Sequence, residues 1–84
     1  MQNLLSCYLN LIYLKMEWIV EIPSHMIVKD FVSILQTQFE DENKGIYLFE
    51  LKSNRFLEPN LSFFENQIQS GDYLYFIWEE KRNA

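Results

Sequence analysis

The sequence has 84 residues, of which 49% are hydrophobic and 17% aromatic, and it carries a formal net charge of −5. That length allows one domain with one small core, and so many aromatic side chains exclude a disordered chain. The acidic balance disfavours nucleic acid or an anionic membrane as the main partner, because both need a basic surface to neutralise phosphate.

The first predicted element is a strand from Leu4 to Leu14, in which Asn10 interrupts a run of Tyr, Leu and Ile. Strand side chains alternate between two faces, so a solvent-facing Asn10 determines which of its neighbours face the solvent and which face the core. The outward set is Tyr8 and Ile12, and the inward set is Leu9 and Leu11. Lys15 and Met16 then mark a break.

A second strand is predicted from Glu17 to Ile22, and Pro23 ends it. Alternation places two acids on the outward face, Glu17 and Glu21. It places three apolar residues on the inward face, Trp18, Val20 and Ile22. The two strands are close enough in sequence to form an antiparallel hairpin, although no Asn-Gly or Asp-Gly pair marks the turn.

From residue 28 the apolar spacing changes to three and four, which predicts an amphipathic helix that ends near Glu40. Its apolar stripe consists of Val28, Phe31, Val32, Leu35 and Phe39. Ile27 lies near the cap position and is a poor cap, so Ser24 or His25 is expected to help start the helix. Asp30 in the first turn suits the helix dipole.

Three later segments are predicted as strands: Ile46–Leu51, Phe56–Leu57 and Tyr73–Trp78. A loop with a short helical turn is expected over residues 60–70, and Gly71 and Asp72 form a turn before the last strand. In the third strand, an outward Glu50 assigns Ile46 and Leu48 to its own face. The residues left for the core are Tyr47, Phe49 and Leu51.

This order of elements predicts the fold. One helix covers both the first hairpin and the later strands only if the sheet wraps around it. A mixed sheet with the last strand central and parallel to the first meets that condition. We therefore predict an α+β protein of the β-grasp type, in which four to five strands wrap around one helix. Residues 1–84 form a single domain, with 1–5 and 79–84 as flexible tails.

The second half of the chain also carries a family resemblance. An apolar strand and a polar turn with a basic residue run from Gly45 to Leu57, a leucine-led segment begins at Leu61-Ser62, and Ile68-Gln-Ser-Gly-Asp-Tyr-Leu74 gives an Ile-x-x-Gly-Asp-x-Leu ending. Together with the helix start Val28-Lys-Asp-Phe-Val32, this pattern resembles ubiquitin-like proteins. It is most similar to the YukD-like group, small bacterial proteins associated with type VII secretion systems. The interval from Leu61 to Ile68 is two residues longer than usual, or else Phe63 takes the place of the leucine.

The resemblance implies an interaction surface on the outer side of the sheet. Matching Leu74 to the buried leucine of the family places Leu74, Phe76 and Trp78 inside and leaves Tyr73, Tyr75 and Ile77 outside. These three join the outward residues of the first and third strands, which gives the predicted interface: Tyr8, Ile12, Leu48, Glu50, Tyr73, Tyr75 and Ile77. An apolar, tyrosine-rich patch ringed by acids fits a protein–protein interface. The alternatives are aromatic pairs that only stabilise the sheet, a cover formed by residues 1–5, or a symmetric homodimer.

Conjugating chemistry is not expected, because a ubiquitin-like tail that is adenylated ends in Gly-Gly and this sequence ends Glu79-Glu-Lys-Arg-Asn-Ala84. An enzyme is not expected either, since a strand cysteine, Cys7, and a loop histidine, His25, make a poor catalytic pair. With one Cys and one His there is no zinc-ligand set, and the acids at 40–42 and 79–80 are interpreted as solvated charge. We therefore expect no cofactor and no metal.

These observations together predict the function. The resemblance implies a non-conjugating ubiquitin-like module for protein–protein interaction, acting as an accessory or regulatory component of a bacterial type VII secretion system. A lone cysteine, no signal peptide and no membrane-spanning segment indicate the cytoplasm. The expected partner is another protein, such as a secretion-system component, and a homodimer stays open. The alternative function is a structural homo-oligomer or an inhibitor or immunity-type binding protein with the same fold.

Overall fold

A computed structural model describes residues 3–11, 15–39 and 44–80, which form one mixed sheet and one helix. The elements are β1 (Leu4–Leu11), β2 (Met16–Pro23), α1 (Val28–Phe39), β3 (Lys44–Glu50), β4 (Arg55–Phe56) and β5 (Tyr73–Glu80). The strand order is β2-β1-β5-β3-β4, with β1 parallel to β5 and the other neighbours antiparallel. The predicted β-grasp, with its last strand central and parallel to the first, is confirmed.

The sheet extends into both segments that the sequence assigned to tails. β1 begins at Leu4, which is paired with Pro23, and β5 continues to Glu80, which is paired with Lys44. The tail prediction is therefore corrected at residues 4, 5, 79 and 80, because ladder pairing to a neighbouring strand fixes their backbone. Residues 1, 2 and 81–84 lie outside the described residues.

The inner face of the first hairpin follows the alternation read from the sequence. Leu9 and Leu11 are buried as predicted, and Cys7 shares their face. Ile22 is buried on β2, while Trp18 and Val20 are partly buried and pack against the same core. On β5, Leu74 and Phe76 are buried as predicted, and the side chain of Trp78 is not among those described.

The third strand has the opposite orientation to the predicted one. Leu48 and Glu50 are 2% and 3% exposed, and they pair with the inward Phe76 and Leu74 of β5. Tyr47, assigned to the core, is 48% exposed. The prediction failed because it took the charge of Glu50 as a mark of solvent. The Glu50 carboxylate instead accepts the Ser53 backbone N–H at 2.6 Å, which closes the turn into β4.

The start of α1 is held by backbone carbonyls from a distant segment. The N–H of Val28 donates to the Leu61 carbonyl and the N–H of Lys29 to the Pro59 carbonyl, both at 2.9 Å. These two carbonyls do the work of a capping side chain, since the first N–H groups of a helix lack intrahelical partners. The expected capping role of Ser24 or His25 is thus replaced by tertiary contact.

None of the described helices is long and apolar enough to cross a membrane.

One aromatic residue anchors the segment between β4 and β5 in the core. Phe63 is fully buried and meets the ring of Phe31 edge-on, with centroids 5.4 Å apart and planes at 89°. Leu61 is 37% exposed. Phe63, and not Leu61, is therefore the core residue at this point of the chain, and its ring joins the segment to the apolar stripe of α1.

A buried amide fixes the same segment. Asn66 is 3% exposed, and its side-chain oxygen accepts the Glu58 N–H at 2.8 Å. Its side-chain nitrogen donates to the carbonyls of Glu58 and Ser62, at 3.1 and 2.8 Å. Every polar atom of this amide is therefore satisfied, which is the condition for burying it at no net cost.

The chain enters β5 through a glycine turn. Gly71 has a φ of 93°, a conformation that L side chains rarely adopt. Its N–H donates to the Ser6 carbonyl at 2.7 Å, and the N–H of Tyr8 donates to the Asp72 carbonyl at 3.0 Å. These bonds set the register in which β5 lies along β1, and with it the side chains that β5 turns outward.

Candidate protein-interaction face

The side of the sheet opposite the helix carries a continuous row of apolar side chains. Residues opposite each other on neighbouring strands point to the same side, so the observed pairings bring together residues from all five strands. We call this set the outer face, and it consists of Tyr8, Ile19, Tyr47, Phe49, Phe56, Tyr73, Tyr75 and Ile77.

One end of the outer face is a stacked tyrosine pair. The rings of Tyr8 and Tyr73 have centroids 4.5 Å apart and planes inclined by 12°. Tyr8 also pairs with Ile19 across the hairpin, and Ile19 is 72% exposed. The stack covers part of Tyr8, which is half-buried, and leaves Tyr73 the more accessible of the two rings.

The other end is a three-ring cluster around Phe56 on the edge strand β4. Phe56 meets Phe49 with centroids 5.1 Å apart and Tyr47 with centroids 6.3 Å apart, both near perpendicular. Edge-to-face geometry is the favourable arrangement for such rings. Phe56 is nevertheless 59% exposed, so most of its ring remains free to contact another molecule.

Tyr75 joins the two ends. On β5 it lies opposite Asn10 of β1 on one side and Phe49 of β3 on the other. Ile77 follows on the same face, opposite Tyr47. Both side chains are half-buried, because neighbours flank them on each strand. The outer face is therefore one surface and not two separate patches.

The margin of the outer face on β2 is acidic. Glu17 and Glu21 are exposed and lie on either side of Ile19, on the same face of the strand. These carboxylates are in water and make no ion pair that would neutralise them within β2, which carries no basic residue. An apolar surface with such a margin favours partners that bring both apolar and basic groups.

The structure places only some of the predicted interface residues on the outer side of the sheet. Four predicted residues lie on the outer face as expected: Tyr8, Tyr73, Tyr75 and Ile77. Leu48 and Glu50 were wrongly placed there, since both face the core. Ile12 lies outside the described residues.

Sequence reasoning missed four members of the outer face: Ile19, Tyr47, Phe49 and Phe56. Tyr47 and Phe49 were lost with the orientation of β3, and Phe56 because β4 has only two residues. The polar run Lys52-Ser-Asn-Arg55, which begins two residues after Glu50, was the available signal. An acid at the start of such a turn often caps it with its side chain, as Glu50 does here.

Cys7 and His25 occupy unrelated settings. The Cys7 thiol is fully buried and donates to the Gln69 carbonyl, with sulfur and oxygen 3.7 Å apart. Burial, and then the charge of Asp72, raise the pKa of Cys7 to about 11, so the thiol is protonated at neutral pH. His25 is exposed, and its ring lies 5.5 Å from that of Phe64.

No protein-family model matches the sequence, and no curated protein matches it. Solved structures do match. The C-terminal ubiquitin-like domain of mouse tubulin-specific chaperone e has a TM-score of 0.77 at 14% identity, over 99% of this chain and 94% of that one. A de novo designed protein based on ubiquitin has a TM-score of 0.71 at 15% identity, over 96% and 95%.

The EccD5 ubiquitin-like domain from Mycobacterium xenopi has a TM-score of 0.67 at 17% identity, over 95% of this chain and 99% of that one. Matches of such low identity over nearly whole chains are evidence of shared architecture. The chain has the ubiquitin-like β-grasp fold, with a five-stranded mixed sheet around one helix.

Proposed function

We propose that this chain is a non-conjugating ubiquitin-like module that binds another protein through its outer face. The observation that carries the proposal is the exposure of its aromatic side chains: Tyr47, Phe56 and Tyr73 are 48%, 59% and 42% exposed, and they lie on one surface. Protein surfaces rarely leave a contiguous apolar patch in water without a partner. Tyrosine adds a hydrogen-bonding tip to a large contact area, which suits an interface core.

The chemistry of the outer face describes the partner. Aromatic rings on β3, β4 and β5 would receive aliphatic or aromatic side chains, and the acidic margin formed by Glu17 and Glu21 would receive Lys or Arg. The net charge of −5 acts in the same direction over a longer range. The partner is therefore expected to present an apolar centre with basic residues on the side that meets β2.

We assign this module an accessory or regulatory role in a bacterial type VII secretion system, in the cytoplasm. Support comes from the resemblance of residues 45–74 to the YukD-like group and from the shared fold of the EccD5 ubiquitin-like domain. The partner would then be a cytoplasmic domain of a secretion-system component. Regulation or assembly, not catalysis, would be the role.

Two features support a non-conjugating and non-catalytic role. The glycines of the sequence, Gly45 and Gly71, lie in β3 and in the turn before β5, and neither belongs to a Gly-Gly pair. The one thiol, Cys7, is buried and protonated at neutral pH, which suits a core side chain better than a nucleophile.

The test is a calorimetric titration with purified cytoplasmic domains of type VII secretion components from the same organism. Tyr75→Asp places a charge at the centre of the outer face and should weaken binding at least about tenfold. Phe64→Asp is the matched control, because Phe64 is a 63% exposed aromatic outside the outer face. Circular dichroism and melting temperature should stay near those of the parent chain for both variants.

The outcomes separate the two parts of the proposal. Binding that survives Tyr75→Asp but not Phe64→Asp would move the interface off the outer face. A chain that binds none of the secretion domains would overturn the secretion role, whatever its fold. Loss of binding with Tyr75→Asp alone supports both.

A further inference from the structure

We infer that a pocket at the start of α1 binds a lysine or arginine side chain of a partner protein. The pocket has a volume of about 370 Å³ and lies where β1 begins, β2 ends and α1 begins. Residues 23–27 form most of its lining, and Asn3 and Asp30 complete it. None of these residues belongs to the outer face, so the inference does not rest on the function proposed above.

Much of the pocket is apolar. Pro23, Met26 and Ile27 contribute hydrocarbon to its lining. Lysine and arginine bury their methylene groups against such surfaces and keep the charged end near polar groups or water. A pocket that is mostly apolar, with a few polar groups at fixed positions, is also the common form of a binding site.

The Ser24 hydroxyl is the first of these polar groups. Ser24 is 4% exposed, and its backbone N–H and carbonyl are bonded to Asn3 and Phe64, at 2.9 and 2.8 Å. Its hydroxyl forms no hydrogen bond with another described residue. Because no described polar side-chain atom is both sealed from the surface and without a partner, this hydroxyl opens into the pocket that it lines. There it can accept a hydrogen bond from an ammonium or guanidinium group.

Asp30 gives the pocket its negative charge. Its side chain is exposed, and the carboxylate forms no ion pair or hydrogen bond with another described residue, although Lys29 adjoins it in sequence. The first two N–H groups of α1 are already bonded to carbonyls of the segment before β5, so they are not available to an anion. A carboxylate and a hydroxyl acceptor beside an apolar wall therefore select a cation on an aliphatic stem.

Backbone hydrogen bonds hold the pocket in shape without a partner. The Met26 N–H donates to the Pro23 carbonyl at 3.0 Å, and the Met26 carbonyl accepts the Phe63 N–H at 3.1 Å. Ile27 forms a single β-bridge with Ser62. Since the segments after β2 and before β5 are tied together in this way, the pocket is preformed, and binding costs it little conformational entropy.

The same chemistry assigns the cation to a protein. One carboxylate and one hydroxyl hold a small amine only weakly, with a Kd of about 1 mM. Tighter binding needs contacts around the pocket, which a partner protein brings along with its basic side chain. The net charge of −5 attracts a basic partner surface from a distance.

The test is a nuclear magnetic resonance titration of the ¹⁵N-labelled chain with N-acetyl-lysine methylamide, and separately with its arginine equivalent. The amide signals of residues 24–27 and 30 should shift and approach saturation with a Kd of about 1 mM. N-acetyl-norleucine methylamide has the same stem without the ammonium group. It should bind at least about tenfold more weakly, because it makes no contact with the carboxylate.

Two variants test the polar groups of the pocket. Asp30→Asn keeps the shape and removes the charge, and it should weaken binding of the blocked lysine at least about fivefold. Ser24→Ala should weaken it about threefold, because one acceptor is lost. Glu17→Gln is the matched control: it removes the same charge from an exposed acid of β2 outside the pocket, and should bind as the parent chain does.

Three results would overturn the inference. These are equal binding of the norleucine and lysine derivatives, unchanged binding by Asp30→Asn, and tighter binding of n-pentylamine than of the blocked lysine, which would assign the pocket to a free amine. Tyr75→Asp should bind the blocked lysine normally, because Tyr75 does not line the pocket. A failure here therefore leaves the proposal for the outer face intact.

Discussion

Tyr8 and Tyr73 lie opposite each other on the parallel strands β1 and β5, with their ring planes nearly parallel and their centroids 4.5 Å apart. The pair bridges the first hairpin and the last strand, which are 65 residues apart in sequence and adjacent in the sheet. It therefore belongs both to the stability of the fold and to the surface offered to a partner.

The stack should be measurable as a coupling free energy. In a double-mutant cycle, Tyr8→Ala and Tyr73→Ala are expected to couple by about 1 kcal/mol in the free energy of unfolding, the usual strength of an aromatic pair. Urea titration followed by circular dichroism gives the values. The control cycle pairs Tyr8→Ala with Phe56→Ala, which lies on the far edge strand. Coupling of equal size in both cycles would contradict a specific stack.

The orientation of β3 predicts unequal losses of stability for substitutions at two adjacent residues. Leu48→Ala should destabilise the protein by about 2–5 kcal/mol, because it empties a core position at 2% exposure. Tyr47→Ala should cost about 1 kcal/mol or less, since Tyr47 is 48% exposed and loses mainly its contact with Phe56. Urea midpoints measure both, and the reverse order would contradict the observed register.

The buried side-chain amide of Asn66 should stabilise the loop that precedes β5. Asn66→Ala leaves the Glu58 N–H without its partner and removes one of two hydrogen bonds at each of the Glu58 and Ser62 carbonyls, which still accept backbone N–H groups. The expected cost is about 2 kcal/mol in the free energy of unfolding. Gln69→Ala is the control, because the Gln69 side chain is exposed and the same backbone remains. Near-equal melting temperatures for the two variants would show that the amide network contributes little.

Ionisation of the Cys7 thiol should lower the free energy of unfolding at alkaline pH. Burial raises its pKa in the folded protein from the ordinary value of 9.0 to about 11, so the folded state holds the proton more tightly than the unfolded state. Its contribution is complete below pH 9 and is lost as the pH rises from about 9 through 11. Cys7→Ala should show a smaller fall in unfolding free energy across that window than the parent chain.

Thiol labelling provides an independent check on Cys7. Iodoacetamide should leave the folded chain unmodified at pH 8 and modify it fully in denaturant, because only the thiolate of an accessible cysteine reacts. Rapid labelling of the native chain would contradict both the burial and the direction of the pKa change.

The residue pattern was sufficient to predict the core residues of the elements that have one solvent-exposed and one buried face. β1, α1 and β5 carry a clear alternation or stripe, so Leu9, Leu35 and Leu74 were placed in the core correctly. The predicted third strand, Ile46–Leu51, is apolar on both sides, and its one charge, Glu50, was the only guide to its orientation. A hydrogen bond within the following turn buries that charge, and the alternation of polar and apolar residues does not reveal such a bond.

The members of the outer face were likewise predictable only where alternation along a strand was clear. Tyr73, Tyr75 and Ile77 followed from the placement of Leu74, and Tyr8 from Asn10. Phe56 belongs to a two-residue strand that pattern cannot orient, and its place opposite Phe49 is set by pairing between distant segments. The start of α1 shows the same limit, since carbonyls from Pro59 and Leu61 replaced a local cap.

The parallel pairing of β1 with β5 also determines how the protein resists mechanical load. A pull on the chain before β1 and after β5 acts along both strands in opposite directions, so the bonds between residues 8–11 and 73–76 are sheared together. The antiparallel hairpin of β1 and β2, pulled apart from its open end, yields one bond at a time. A molecular motor that grips the chain would therefore unravel it more easily through the hairpin than by tension across the two central strands.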